Sequence, residues 1–212
     1  ISRVCKYRPF PSVKREVIND LFHFSFSNYI ARIFEELPGV VLPIIVINVL
    51  GAEKNAYFFI AWQISLLLLA IPRWTSMSLL AEGSYNQEEL VWNARRAMKF
   101  ILILLAMAIT GIFLFGKYLL WIFGEEYAKN SPDVLLILML GSVPFSFNVV
   151  YASVKRVQKE IKPVIWVYGS IAAITLVASY LLMHNIGITG VGVAWVIGNS
   201  ATTLGIGLKK KI

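Results

Sequence analysis

Six long apolar runs, separated by short polar or basic segments, restrict the fold of this chain more than any other sequence feature. A helix needs about 20 residues to cross the ~30 Å hydrocarbon core of a bilayer. Of the 212 residues, 58% are hydrophobic and 15% are charged, whereas soluble domains are about 45–50% apolar and about 25% charged. The runs cover residues 17–50, 56–80, 100–116, 131–154, 163–183 and 191–208. The sequence therefore predicts an all-α integral membrane protein with a six-helix transmembrane bundle over residues 18–212.

Local breaks within these runs are predicted from proline and from charge. Pro38 and Pro43 predict a kink or a broken helix in the first span, and Pro72 an interruption of the second. Residues 88–99 are amphipathic and basic, as in a helix that enters from the interface. Ser131, followed by a proline and an acid, predicts the N-cap of the fourth span.

The distribution of positive charge predicts the orientation. The first segment, the 81–99 and 154–162 loops and the C-terminal end hold 15 of the 20 Lys and Arg residues. Cytoplasmic loops carry such an excess, so we expect both ends in the cytoplasm and a multi-pass protein of the cell membrane. Residues 1–17 are predicted to be a cytoplasmic tail or linker. Nucleic-acid binding is not expected, because the basic residues fall between apolar runs and do not form one water-exposed face.

Enzymatic chemistry has no recognisable basis in this sequence. There is one cysteine, Cys5, and the two histidines, His23 and His184, lie near opposite ends of spans. The sequence has no HExxH motif and no Ser/His/Asp arrangement. We therefore predict no catalytic residues, no metal site and no cofactor.

The first span carries charge where a lipid-facing helix would not. Asn28, Arg32 and Glu35 share one face of the predicted helix with Ser25 and Gly39. A charge at hydrocarbon depth costs roughly 2.5–3.5 kcal/mol by insertion measurements, so such residues face a bundle interior or a wet cavity. We therefore predict that this helix lines a cavity.

Arg73 on the second span is predicted to lie at a similar depth to Arg32, because the two spans are antiparallel neighbours. Arg offers paired donors to phosphate. The candidate substrate-binding residues are Asn28, Arg32, Glu35, Glu36 and Arg73. Two alternatives stay open: the arginines extend to the headgroups while Arg32 pairs with Glu36, or one glutamate is a protonation site for ion coupling.

Three segments carry a resemblance to a known superfamily. They are FEELPGVVLPIIVINVLGAE (34–53), the 116–163 segment from GKYLLWIFGEEY to QKEIKP, and GITGVGVAWVIGN (187–199), with Ile71-Pro72 and SLLAEGS (78–84) between the first two. In their order and spacing they resemble the C-terminal half of a polysaccharide flippase of the MATE-like multidrug/oligosaccharidyl-lipid/polysaccharide exporter superfamily.

This resemblance implies one lobe of a transporter with twelve to fourteen helices, residues 1–17 being the interlobe segment. It implies the flipping of a polyprenyl-diphosphate-linked oligosaccharide by alternating access, for surface polysaccharide or glycan biosynthesis. The partners implied are the lipid bilayer, the lipid-linked glycan and a missing N-terminal lobe of the same chain. The alternatives are an ion-coupled drug or small-molecule antiporter of the same superfamily and a non-transporting membrane scaffold for glycan assembly.

Overall fold

The computed structural model describes residues 15–85 and 88–209, and this part of the chain is helical almost throughout. The helices are α1 (Arg15–Leu50), α2 (Ala52–Tyr85), α3 (Leu90–Trp121), α4 (Glu125–Asn130), α5 (Pro132–Leu140), α6 (Ser142–Val157), α7 (Ile161–Ile186) and α8 (Ile188–Lys209). Most of the predicted tail, residues 1–14, and residues 210–212 of the C-terminal basic cluster lie outside the described residues.

Six stretches of the described chain are long and apolar enough to cross a membrane. Five of them lie within α1, α2, α3, α7 and α8, and the fourth in chain order, Pro132–Val157, is formed by α5 and α6 together. The predicted fold class, a bundle of six transmembrane helices, is therefore confirmed. The turns after α2 and α6 lie on the side of the bundle with the basic segments, called here the basic face.

A broken helix, one of the two outcomes predicted at Pro38 and Pro43, does not occur, and neither does the interruption predicted at Pro72. α1 continues through Pro38 and Pro43, and α2 continues through Pro72. A broken helix in hydrocarbon would leave several polar backbone groups without a partner. A continuous helix loses only the one hydrogen bond that each proline cannot donate. The basic segment predicted at 88–99 is helical from Leu90 and continues into the third span, because no breaking residue separates Lys99 from Phe100 and α3 runs through both.

The fourth span breaks just before Pro144, which has no amide to donate to the Leu140 carbonyl. α5 ends at Leu140 and α6 begins at Ser142, while the intervening Gly141 keeps its bond to the Ile137 carbonyl. A Cβ at Gly141 would lie 2.8 Å from Trp195 Nε1, so only glycine admits the indole of α8 here. Ser131 is the N-cap residue of α5, as predicted, and Pro132 and Asp133 follow it in the first turn. Its hydroxyl does not cap the helix but donates to the Tyr57 carbonyl on α2 (3.0 Å).

Five of the six spans form a closed ring of contacts. α1 packs between α2 and α7, α8 joins α7 to α5 and α6, and those two helices return to α2. The pairing of α7 with α8 depends on small residues: a Cβ at Gly190 would lie 2.7 Å from the Leu182 carbonyl carbon, and one at Gly198 would collide with Thr175. Small residues allow this close approach in membranes, so Gly190 and Gly198 of α8 have a packing role.

α3 lies outside this ring, against α2, α5 and α6. Its outer surface is apolar and exposed in the middle, for example at Ile103, Met107 and Phe113. Lys99 near one end and Lys117 near the other are also exposed. α3 therefore has the surface expected of a lipid-facing helix.

Candidate functional site

A cavity of about 700 Å³ lies between α1, α2, α6 and α7 in the half of the bundle near the basic face. We call it the charged cavity. It opens at the surface where Trp74 and Met77, both more than half exposed, form part of its wall. Its polar and charged lining residues include Asn28, Arg32, Glu35, Glu36, Ser76, Ser153, Arg73, Arg156 and Lys159. All five candidate residues from the sequence therefore line one cavity, and two further cations join them.

Glu35 is the centre of an ion-pair cluster that joins three helices. Its Oε1 lies 3.4 Å from Arg73 Nε on α2, and its Oε2 lies 3.8 Å from Arg156 Nη2 on α6. The Glu35 side chain is 14% exposed, whereas those of Arg73 and Arg156 are 29% and 22% exposed. The two guanidinium groups thus share one internal carboxylate and still reach the cavity.

The ion pairs of Glu35 leave donors free. Both distances are long for charge-assisted hydrogen bonds, which are about 2.7–2.9 Å. Arg73 Nε is buried and has no hydrogen-bond partner among the described residues. An unsatisfied buried donor carries a desolvation cost of about 1–3 kcal/mol, which the long ion pair of Nε with Glu35 offsets only in part.

Aromatic rings hold both guanidinium groups in place. The Arg73 guanidinium carbon lies 5.5 Å from the centre of the Phe145 ring, and that of Arg156 lies 5.5 Å from the Tyr168 ring. A guanidinium over an aromatic face is attracted by the ring quadrupole. Phe145 and Tyr168 are almost fully buried, so they are fixed platforms for the two cations.

The C-terminal end of α6 directs Arg156 inward. The Glu160 amide donates to the Lys155 carbonyl and the Lys159 amide to the Arg156 carbonyl. With Lys159 at a φ of 59°, this is a Schellman turn in which lysine occupies the position usually taken by glycine. Lys155 pairs with Glu160 at 2.7 Å outside the charged cavity, while Arg156 and Lys159 line it.

The remaining candidates are less constrained. Arg32 and Glu36 are exposed, and the described residues contain no ion pair between them. The proposed i,i+4 pair is therefore not formed here. The Asn28 amide donates to the Phe24 carbonyl of its own helix at 3.1 Å.

A smaller cavity of about 200 Å³ continues from the charged cavity toward the opposite face. We call it the inner chamber. Glu35, Glu36 and Arg73 line both spaces. Its other lining residues are Pro38, Gly39, Val40, Trp62, Gln63, Leu66, Leu69 and Trp195. The two cavities together therefore offer a charged entrance followed by a largely apolar, aromatic interior.

Sequence reasoning missed Arg156, Lys159 and Trp62. The two cations were assigned to the basic loop, because the positive-inside pattern accounts for them without any site. The Schellman turn requires a positive φ at Lys159. Because glycine usually occupies this position, the sequence did not indicate such a turn. Trp62 lies in an apolar run, where an indole is indistinguishable from a packing residue.

Metal ligands do not cluster in the described residues. Residues 15–85 and 88–209 contain no group of three or more His, Cys, Asp or Glu side chains that could hold a metal ion. The charged cavity instead has four cationic and two anionic side chains. This balance favours an anionic ligand.

Sequence comparisons with family models and with curated proteins found no match. Solved structures of membrane transporters do match in fold. A MATE transporter in its straight conformation and a multidrug resistance MATE family transporter of the MOP superfamily in its outward-facing conformation each give a TM-score of 0.82 at 19% identity. The lipid II flippase MurJ, in its inward closed conformation, gives 0.77 at 13% identity.

These matches cover the chain from end to end and only part of the other proteins. The matches to the two MATE structures cover 100% of this chain and 50% of each MATE chain. The match to MurJ covers 99% of this chain and 46% of the MurJ chain. The chain thus spans about half the length of the structures it matches. At these identities the likeness establishes the fold alone, and the chain has the fold of one half of a MATE-like transporter.

Proposed function

We propose that this chain is one lobe of a membrane transporter that flips a lipid-linked oligosaccharide diphosphate between leaflets. The observation that carries the proposal is the pair of guanidinium groups, Arg73 and Arg156, held on aromatic rings at the wall of an open cavity. Diphosphate is the anion best matched to two adjacent guanidinium groups, because each offers paired donors to phosphate oxygens.

The wall of the charged cavity also suits the lipid part of such a substrate. Trp74, Met77 and Leu80 line it on the α2 side, and Trp74 and Met77 are exposed. An amphiphile can therefore place its diphosphate on the arginines while its chain leaves past these apolar residues into the bilayer. A soluble anion would gain nothing from this wall.

The mechanism follows from the exchange of one anion for another. Before substrate binds, Glu35 balances one of the two positive charges of Arg73 and Arg156. The incoming diphosphate replaces it and binds both guanidinium groups. With both ends of the chain in the cytoplasm, the charged cavity receives substrate from the inner leaflet. Rocking of this lobe against a second, N-terminal lobe then exposes the saccharide to the other side.

Binding of the lipid diphosphate to the full-length protein tests the proposal. In nanodiscs, Arg73→Gln and Arg156→Gln are each expected to weaken binding of polyprenyl diphosphate at least tenfold, since a hydrogen bond to a charged group contributes about 1.5–3 kcal/mol. Lys155→Gln is the matched control, because Lys155 carries the same charge one residue away but pairs with Glu160. Equal effects of Arg156→Gln and Lys155→Gln would contradict the proposal.

An ion-coupled antiporter is the second candidate, favoured by the carboxylates of Glu35 and Glu36 in the cavity and by the multidrug MATE structures of the same fold. It predicts cation or drug transport that depends on an ion gradient and stops in Glu35→Gln. A non-transporting scaffold would need a dry interface behind Arg32 and a paired Glu36. Among the described residues Arg32 lines an open cavity and Glu36 has no ion pair.

A further inference from the structure

The inner chamber contains polar groups that the lobe itself does not use. Trp62 is 3% exposed, and no described residue accepts a hydrogen bond from its indole N–H. Its Nε1 points toward Gly39, since a Cβ on Gly39 would stand 3.8 Å from that atom. Gln63 also lines the chamber; its side chain is exposed at the chamber opening and makes no hydrogen bond to a described residue.

The Trp62 ring is held rigidly at this position. Trp195 packs edge-on against it at 5.1 Å between ring centres and an interplanar angle of 85°, and Phe58, one turn earlier on the same face of α2, packs at 5.9 Å. Gly39 provides the free volume next to the indole, because it has no side chain to fill it. The result is a preformed space for a ring, bounded by an aromatic surface, an indole N–H and an amide.

We propose that the inner chamber is a saccharide subsite that takes the sugar ring bonded directly to the diphosphate. This inference rests on the proposed function and assigns the part of the substrate next to the anionic group. A sugar ring has apolar C–H faces that can lie on an indole and hydroxyls that both donate and accept, so it matches Trp62 and Gln63 as well as the acceptor Glu36 at the entrance.

The order of the two cavities fits a glycosyl phosphate in one orientation. Arg73 lines both the charged cavity and the inner chamber, so a phosphate on Arg73 has its sugar substituent at the chamber entrance. The lipid end then lies on the other side of the phosphate, toward Trp74. A planar organic cation would fit the aromatic wall equally well, but it would have to pass the net positive charged cavity.

Two ligands that differ only in the sugar separate this inference from the function on which it rests. Polyprenyl diphosphate and polyprenyl-diphosphate-N-acetylglucosamine are titrated against the full-length protein in nanodiscs. Wild type is expected to bind the sugar-bearing lipid roughly tenfold more tightly, about the effect of two net hydrogen bonds. Gly39→Leu, which fills the chamber, and Gln63→Leu are expected to remove this preference and leave binding of polyprenyl diphosphate unchanged.

Gly111→Leu is the control for the glycine variant, because Gly111 lies on α3 with no atom within 4 Å of its Cβ position. Equal binding of the two lipids by wild type, or a preference retained in Gly39→Leu, would overturn the subsite and leave the proposed function standing. If neither lipid binds, the proposed function fails and the subsite fails with it. A planar cation that binds wild type but not Gly39→Leu, with no discrimination between the lipids, would reassign the chamber to cations.

Discussion

Arg156 Nη2 on α6 lies 3.8 Å from Glu35 Oε2 on α1, and the same carboxylate lies 3.4 Å from Arg73 on α2. One internal anion thus links three helices at the wall of the charged cavity. Because the pairs are long and partly exposed, they hold the helices together without consuming the donors that a substrate anion needs.

Glu35→Gln is expected to raise the affinity of the full-length protein for polyprenyl diphosphate roughly fivefold. The substitution removes the carboxylate that competes for Arg73 and Arg156, and a partly exposed ion pair contributes up to about 1 kcal/mol. Glu36→Gln is the control, because Glu36 lines the same cavity without an ion pair. Weaker binding in Glu35→Gln, measured by titration in nanodiscs, would show that the carboxylate itself contacts the substrate.

Lys159→Gly is expected to stabilise the protein and weaken anion binding at the same time. A non-glycine residue in the left-handed region costs roughly 1–2 kcal/mol, and Lys159 has a φ of 59°. The gain is measured as a higher unfolding temperature in detergent, and the loss as a higher Kd for polyprenyl diphosphate.

Lys159→Gln separates the two effects of that substitution. It removes the charge but keeps the strained conformation, so it should weaken binding with no gain in unfolding temperature. If Lys159→Gly and Lys159→Gln have the same unfolding temperature, the turn stores no conformational cost.

Gly198→Ala is expected to lower the free energy of unfolding by about 1–3 kcal/mol through overpacking. The added methyl group would collide with Thr175 and approach the Ile171 carbonyl to 3.2 Å. Gly207→Ala on the same helix, where a Cβ meets no atom within 4 Å, should have little effect. Steric-trapping or denaturant unfolding in bicelles measures the difference, and similar values for the two variants would contradict the close packing of α7 and α8.

Asn148→Leu is expected to cost about 1 kcal/mol, near the range found for interhelical hydrogen bonds in membranes. The buried Asn148 amide donates to the Asn199 carbonyl (3.0 Å) and its oxygen accepts from Thr203 (3.0 Å), which joins α6 to α8. In contrast, the exposed Asn48 amide donates only to Ile44 of its own helix. Asn48→Leu should therefore leave the unfolding midpoint almost unchanged in the same assay.

The membrane fold was predictable because it depends on quantities that a sequence contains. Span length and the density of apolar residues determine how many helices cross the bilayer, and these gave six. The breaks were less predictable: the helices continue through Pro38, Pro43 and Pro72, whereas the fourth span breaks at Gly141, just before Pro144. Whether a helix breaks depends on what packs against it, here Trp195 against Gly141, and no local pattern records that neighbour.

The candidate site was predictable on α1 and, for Arg73, on α2, but not on α6. Asn28, Arg32 and Glu35 share a face by helical spacing, so the cavity-lining side of α1 follows from periodicity. Arg156 lies near Glu35 because of the turn after α6 and the packing of α6 against α2. Both depend on tertiary structure, which no local sequence pattern indicates. The positive-inside pattern already accounted for the charge of Arg156, so that charge did not indicate a binding site.

The position of α3 outside the helix ring has a consequence for how the lobe sits in a bilayer of given thickness. Lys99 and Lys117 are exposed near its two ends. The helix rises about 27 Å from the first lysine to the second, close to the ~30 Å hydrocarbon core. α3 lines neither cavity in the part of the chain that is described. It can therefore match the lobe to the hydrophobic thickness of the membrane, while α1 and α2 carry charge at a depth that lipid-facing helices cannot tolerate.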